Sequence, residues 1–215
     1  GAEFTALPLD HLLYTGSGNI ARKVVANAAK NLVPTTLELG GKSPTIIASD
    51  ANLELVAKRI MFVKTLNAGQ ICLSPDYIMV KKGLEEKLIT ELKKVFNTFY
   101  PENNGADYTS MVNDHHHDRM QEYLSDAKQK GAQVINLGDF DSSENNTITT
   151  KVLLNVNDDM RVMQEEIFGP LLPIMVYEDL SEAVSYVNNH DHPLGLYFFG
   201  NKKSEQNYVI NNTRS

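Results

Sequence analysis

The residue best suited to covalent chemistry is Cys72, the single cysteine of the 215-residue chain. It closes the run Asn67-Ala68-Gly69-Gln70-Ile71-Cys72, in which two small residues bring the backbone close to the sulfur. Backbone N–H groups at such a position lower the pKa of a thiol and stabilise an oxyanion on the carbon under attack. A lone cysteine is more often an inert core residue. From this run alone, both interpretations stay open.

A carboxylate precedes two glycines in the run Leu37-Glu38-Leu39-Gly40-Gly41-Lys42-Ser43-Pro44. Glu38 is expected at the end of an apolar strand, where burial without a partner would raise its pKa toward neutrality. That is the property a general base requires. An equally good reading is a salt-bridged residue before a tight turn.

A third run, Gln164-Glu165-Glu166-Ile167-Phe168-Gly169-Pro170, places a carboxylate two residues before an aromatic ring in a Gly-Pro turn. Taken alone this run is unremarkable. Three consecutive histidines, His115 to His117, point in different directions on a helix, so they make a poor metal site and are more typical of a solvated first turn.

The elements that position these residues alternate between strand and helix. Asp50 and Asn52 are candidate N-caps of the helix before Cys72, and Pro101 closes a later helix whose apolar stripe runs from Leu84 to Phe99. Strands are predicted at 11–15, 35–39, 45–48, 77–80, 132–135, 148–155, 173–177 and 196–199, helices at 17–31, 53–67, 84–99, 114–130 and 181–190 and after 199, and a polar loop at 141–146.

Strands separated by helices of this length predict an α/β fold with a mainly parallel sheet covered on both faces. Only one β–α unit precedes Gly40, whereas a dinucleotide-binding sheet needs several. We therefore expect residues 1–39 to be a cloning scar (Gly1 to Phe4) and a remnant of a dinucleotide-binding domain, and residues 40–215 to be a catalytic domain truncated at its C-terminus.

Composition excludes several classes of partner. A formal charge of −7 with interleaved signs argues against nucleic acid, which needs a basic stripe. No apolar run approaches the roughly 20 residues that span a bilayer. One cysteine allows no internal disulfide, which suits a reducing intracellular compartment.

The three runs, in this order, resemble the signatures of the aldehyde dehydrogenase superfamily, and the resemblance covers nearly the whole chain. The resemblance implies NAD(P)-dependent oxidation of an aldehyde to a carboxylic acid through a cysteine thiohemiacetal and thioester, with no metal. Cys72 would be the nucleophile and Glu38 the base for the hydrolytic water.

The same resemblance implies which residues bind NAD or NADP. Glu166 would hold the nicotinamide ribose and Phe168 would pack near the nicotinamide, while Leu39 and Gly40 lie beside it. The turn Tyr14-Thr15-Gly16-Ser17 would lie beneath the pyrophosphate. Gly18 and Ala21 depart from the usual pattern there, where threonine and a further glycine are common.

The phrasing around Cys72-Leu73-Ser74-Pro75-Asp76-Tyr77 looks most like the fatty-aldehyde branch, including fungal members. This implies a long-chain aliphatic aldehyde as substrate and places His116 near the cofactor. The full-length parent is expected to be an intracellular homo-oligomer, cytoplasmic or membrane-associated, and this segment alone is expected to be inactive.

Two other functions stay open. One is a CoA-acylating semialdehyde dehydrogenase, in which the thioester passes to a thiol. Glu38 argues against it, because that reaction has little use for a base acting on water. The other is a non-catalytic interaction fragment that lacks a complete cofactor site.

Overall fold

The computed structural model describes residues 1–102, 105–142 and 144–215. The chain divides into two compact units, Gly1–Gly40 and Gly41–Ser215. No helix in the part of the chain so described is long and apolar enough to cross a membrane.

The first unit is one strand–helix–strand motif: β1 (Leu12–Thr15), α1 (Gly18–Ala28) and β2 (Thr35–Glu38). The two strands pair in parallel, with Leu12 opposite Thr35. Its small core consists of Leu12, Val24, Ala28 and Val33. Most of β2 stays exposed, because a two-stranded sheet leaves its outer edge and much of its surface open.

The second unit carries one sheet and most of the helices. Its elements are β3 (Pro44–Ile47), α2 (Leu53–Thr65), β4 (Tyr77–Lys81), α3 (Glu85–Phe99), α4 (Asp114–Gln129), β5 (Gln133–Asn136), β6 (Lys151–Leu154), α5 (Arg161–Gln164), β7 (Leu171–Tyr177), α6 (Leu180–Asn188), β8 (Tyr197–Phe199) and α7 (Lys203–Asn212).

The sheet has the order β5-β6-β7-β4-β3-β8 and is parallel except for the β5–β6 pair. Both faces are covered, which explains why β4 is apolar at consecutive positions. Tyr77 and Met79 enter the core that includes α4 and α6, whereas Ile78 and Val80 enter the core against α2 and α3. The predicted mainly parallel, two-sided α/β fold is confirmed.

Several details differ from the sequence prediction. The strand predicted at 132–135 pairs antiparallel with β6, and α5 was not predicted. Asn52 rather than Asp50 caps α2, since its side chain accepts the Leu55 N–H. Phe99 is exposed, not part of the apolar stripe. In the predicted polar loop, Ser143 lies outside the described residues.

Candidate active site

The cysteine loop, residues 66–76, begins with an unusual backbone. Helix α2 ends at Thr65, and Asn67, Ala68 and Gly69 follow with φ of 52°, 52° and 73°. Left-handed backbone costs a non-glycine residue roughly 1–2 kcal/mol, so surrounding contacts must impose it. Cys72 therefore lies in a turn beyond the helix, not near its end as predicted.

The side chain of Gln70 supplies part of that restraint. It is buried, donates to the carbonyl oxygens of Asn67 at 2.9 Å and Ser110 at 3.1 Å, and accepts the Val112 N–H at 3.0 Å. One amide thus satisfies donor and acceptor groups on two segments. The cysteine loop is thereby fixed to residues 110–112.

Cys72 itself is half-buried. Within residues 1–102, 105–142 and 144–215, no protein acceptor engages its backbone N–H. The hydroxyl of Tyr197 donates to the neighbouring carbonyl of Leu73 at 2.6 Å. Burial, and secondarily the nearby Cys72, raises the pKa of Tyr197, which stays a neutral donor. The sulfur therefore lies beside a free N–H on a fixed turn.

The Glu166 loop, residues 161–170, contacts the cysteine loop directly. A Cβ atom on Gly69 would lie 2.5 Å from the carbonyl oxygen of Gly169, so only glycine permits the observed approach. Phe168 has a left-handed φ of 46°. Two of the three sequence runs are thus adjacent in the folded second unit.

The Glu166 carboxylate reaches the residue that follows the two-glycine run. It is half-buried, and burial raises its pKa although the hydrogen bond from the Gly41 backbone N–H lowers it. Gly41 has a φ of +129°. The site therefore brings together Gly41, Glu166 and the cysteine loop.

Arg119 on α4 was missed by the sequence analysis. Its guanidinium donates to the carbonyl oxygens of Glu166 at 3.1 Å and Ile167 at 2.9 Å, and lies 3.3 Å from Nδ1 of His116. Burial, followed by the Arg119 charge, lowers the pKa of His116. The i, i+3 spacing of His116 and Arg119 puts both on one helix face, which was the available signal.

Lys42 and Asp76 were also missed, although both lie inside runs that the analysis quoted. They form an ion pair between the two loops. Because ion pairing of this kind depends on tertiary packing, spacing along the sequence carries no signal for it.

Glu38 corrects the sequence prediction in its environment. It is exposed rather than buried, because β2 has a partner strand on one side alone. Its carbonyl oxygen accepts the Gly16 N–H at 3.1 Å. Leu39 and Gly40 follow it half-buried.

The predicted pyrophosphate turn of the first unit joins β1 to α1. Ser17 caps α1 by accepting the Ile20 N–H at 3.4 Å. A Cβ on Gly16 would lie 2.3 Å from the Tyr14 hydroxyl. The turn thus leads into the positive end of a helix dipole.

No group of three or more His, Cys, Asp or Glu residues in the described ranges could hold a metal ion. A mainly parallel α/β sheet with a glycine-framed cysteine loop against a glutamate loop defines the class: an enzyme-like fold with a thiol at its candidate centre.

Comparison with known proteins identifies the family. Residues 5–215 match the Aldehyde dehydrogenase family. The sequence is 45% identical over 216 residues to a probable coniferyl aldehyde dehydrogenase of Pseudomonas aeruginosa, covering 100% of this chain and 45% of that protein. It is 38% identical over 208 residues to the dimeric NADP-preferring aldehyde dehydrogenase of Rattus norvegicus, covering 96% of this chain and 45% of that one.

The fold agrees. The substrate-bound state of Staphylococcus aureus AldH superposes with a TM-score of 0.93 at 38% identity, covering 99% of this chain and 46% of that chain. The chain belongs to the aldehyde dehydrogenase family, and it spans about half the length of these relatives.

Proposed function

We propose that the full-length parent of this chain oxidises an aldehyde to a carboxylic acid with NAD or NADP, and that Cys72 is the nucleophile. The observation that carries this proposal is the placement of Cys72 on a restrained turn with an unengaged backbone N–H. Family membership supports the reaction class.

In the first step, the Cys72 thiolate adds to the carbonyl carbon and the carbonyl electron pair moves onto oxygen. The Cys72 N–H is placed to donate to that oxyanion, which would stabilise the tetrahedral state more than the flat substrate. The restrained turn keeps the donor and the sulfur together, so little reorganisation is needed at the moment of attack.

The residues present fit a nicotinamide cofactor. Glu166 offers a half-buried carboxylate for ribose hydroxyls, and Phe168 offers an apolar surface for the nicotinamide. His116 borders the same loop through Arg119. When bound, NAD or NADP accepts the hydride that leaves the former aldehyde carbon.

The first unit would hold the other end of the cofactor. Gly16 and Ser17 lie at the N-terminus of α1, where backbone N–H groups and the helix dipole favour phosphate. Leu39 and Gly40 follow β2. We propose that residues 1–39 are the remnant of the dinucleotide-binding domain and 40–215 the catalytic domain.

Release of the product requires hydrolysis of the thioester. Glu38, exposed at the end of β2, would take a proton from water. The resulting oxygen attacks the acyl carbon, the carbon–sulfur bond breaks, and the thiolate is regenerated. The presence of this carboxylate favours hydrolysis over transfer of the acyl group to CoA.

The substrate class rests on resemblance. The fatty-aldehyde phrasing around Cys72 favours a long-chain aliphatic aldehyde. A second candidate is an aromatic aldehyde, favoured by the 45% identity to a probable coniferyl aldehyde dehydrogenase. The name of the rat relative supports NADP as an alternative to NAD. Oligomerisation and an intracellular location of the parent stay predictions.

The test is trapping of the thioester in the full-length parent. Brief mixing with cofactor and either aldehyde, followed by acid quench and mass spectrometry, should show the acyl mass on the peptide containing Cys72. Cys72→Ser should abolish the adduct and turnover, whereas Ser204→Ala, on the exposed face of α7, should change neither. Wild-type turnover by Cys72→Ser would contradict the assignment, and a non-catalytic interaction fragment would be supported by inactivity of the wild type.

A further inference from the structure

A buried carboxylate joins the segments that surround the candidate active site. The Asp76 side chain is 3% exposed, and one of its oxygens accepts the Ile167 N–H at 2.8 Å. Its own backbone N–H donates to the Ser43 carbonyl at 2.9 Å. Asp76 lies four residues after Cys72, and Ile167 follows Glu166 directly.

Lys42 completes the connection. Its side chain is 14% exposed and its ammonium group pairs with the other oxygen of Asp76. The same group donates to the carbonyl oxygens of Val162 at 2.8 Å and Glu165 at 3.1 Å. All three donors of the ammonium group thus have acceptors, and two of those acceptors belong to the Glu166 loop.

Stability alone is a weak reason for such a pair. Removing two charges from water costs free energy that their attraction barely repays, so apolar replacements of similar volume are often neutral or stabilising. A charged pair does, however, fix geometry, because each hydrogen bond has a required direction. The bonds of this pair run between the cysteine loop and the Glu166 loop.

We propose that Lys42 and Asp76 are positioning residues, which set the Glu166 loop against the cysteine loop so that Glu166 and Phe168 meet the cofactor at the right place relative to Cys72. This inference rests on the proposed function. Neither residue touches the reacting atoms; both act through the backbone of residues 162–167.

The contacts give this role a distinct signature. Cys72 is held independently by Gln70 and Tyr197, so its reaction with a small alkylating reagent should depend little on Asp76. Cofactor affinity should depend on Asp76 strongly, because Glu166 loses its anchor. A purely structural role would instead make every property follow stability.

The experiment uses Lys42→Met, Asp76→Leu and the double variant Lys42→Met/Asp76→Leu in the full-length parent. Each single variant leaves a buried charge unpaired, so its urea midpoint should fall, and the double variant should recover part of that loss. The KM for NAD or NADP should rise about tenfold or more in all three, because binding energy is lost with the loop geometry. The rate of Cys72 alkylation by iodoacetamide should stay within about threefold of wild type.

Hydrogen exchange gives a readout independent of turnover. Exchange of the Ile167 amide should accelerate about tenfold in Asp76→Leu and in the double variant, because its acceptor is gone. The matched control is Glu178→Gln, which removes an ion pair with Lys82 in which both side chains are 64% exposed, and it should leave all of these measurements unchanged.

The two proposals fail differently. If the double variant recovers both its urea midpoint and its cofactor KM, the role of the pair is structural and the positioning proposal is wrong. Unchanged Ile167 exchange in Asp76→Leu would refute it as well. If the wild-type parent shows no aldehyde oxidation, the proposed function fails, and calorimetric cofactor affinity with Ile167 exchange still decides the positioning role.

Discussion

Gly69 and Gly169 are in backbone contact: a Cβ on Gly69 would lie 2.5 Å from the Gly169 carbonyl oxygen and 3.2 Å from that of Lys64. These distances are too short for any side chain, and φ at Gly69 is +73°. The two loops of the candidate site therefore approach each other through a position where glycine is required.

Gly69→Ala should lower the free energy of unfolding by roughly 1–3 kcal/mol and slow the alkylation of Cys72, because the loops must separate. Gly83→Ala is the matched control, since Gly83 has a φ of +89° but open space around a Cβ. The control should show the backbone cost alone, with Cys72 reactivity retained. Equal behaviour of the two variants in urea titration and alkylation would remove the steric explanation.

Glu38→Gln in the full-length parent should slow thioester hydrolysis by about 100-fold or more, the usual contribution of a general base. The first attack and hydride transfer precede that step, so stopped-flow absorbance should show a burst of reduced cofactor followed by slow turnover. Retention of the wild-type steady-state rate without a burst would count against Glu38 as the base.

Lys64 gives a prediction for alkaline pH. It is 1% exposed, its amine donates to the Pro75 carbonyl at 3.0 Å, and burial lowers its pKa to about 8 from an ordinary value of 10.5. Below pH 8 the folded state bears the full cost of the buried charge. Between about pH 8 and 10.5 the unfolded chain retains the proton longer, so the free energy of unfolding should rise with pH.

Lys64→Met removes that titration. The stability of the variant minus that of wild type should therefore decrease by roughly 3 kcal/mol between pH 7 and 10.5, measured by urea unfolding. Lys58→Met, on the exposed side of the same helix, is the control and should give a difference that is constant over this range. A constant difference for Lys64→Met would mean that the amine is not charged in the folded state at neutral pH.

Asp141 gives the corresponding prediction for acid. Its side chain accepts hydrogen bonds from the Thr149 N–H at 2.8 Å and hydroxyl at 2.6 Å, and pairs with Lys151 at 2.6 Å. Burial alone would raise its pKa, but these contacts outweigh burial and lower it. A carboxylate with a depressed pKa contributes stability above its unfolded pKa, and that contribution disappears as pH falls through the folded value.

The difference in Tm between wild type and Asp141→Asn should therefore be constant from pH 7 to about pH 5 and shrink below about pH 4. Asp10→Asn, an exposed position of the first unit, is the control and should show a small difference without this acid dependence. A gap for Asp141→Asn that persists at the lowest pH would mean that the lost contacts do not depend on charge.

The 215-residue chain alone should bind NAD too weakly for calorimetry and produce no reduced cofactor with a long-chain or aromatic aldehyde. Its first unit contains one strand–helix–strand motif, and each 1.4 kcal/mol of lost contact weakens binding about tenfold. The full-length parent, titrated in parallel, is the positive control. Micromolar affinity of the short chain would show that it contains a complete nucleotide site.

Periodicity predicted most of the fold because its signals are local. The apolar faces of α2 and α4 and the apolar run of β4 follow from burial on one or both sides. The antiparallel direction of β5 was not predictable from a four-residue segment, since pairing direction depends on the strand beside it. The short α5 offers too few residues for a helical period.

Sequence motifs located the candidate site residues but not the contacts among them. The glycines near Cys72 signalled an unusual backbone, and positive φ at Gly69 agrees with that expectation. The burial expected for Glu38 was wrong, because it presumed neighbouring strands on both sides of β2. Arg119 and Asp76 act on the Glu166 loop across 47 to 91 positions of sequence, a relationship that no local pattern contains.

The left-handed backbone at Asn67 and Ala68 also constrains how this protein can change. Glycine at either position would relieve local strain in the folded state, and it would simultaneously enlarge the conformational freedom of the turn that carries Cys72. Selection for thermal robustness and selection for a well-placed nucleophile therefore act in opposite directions on these two codons. In a mutational library screened for heat tolerance alone, this turn is where we expect gains in stability to coincide with losses of thiol reactivity.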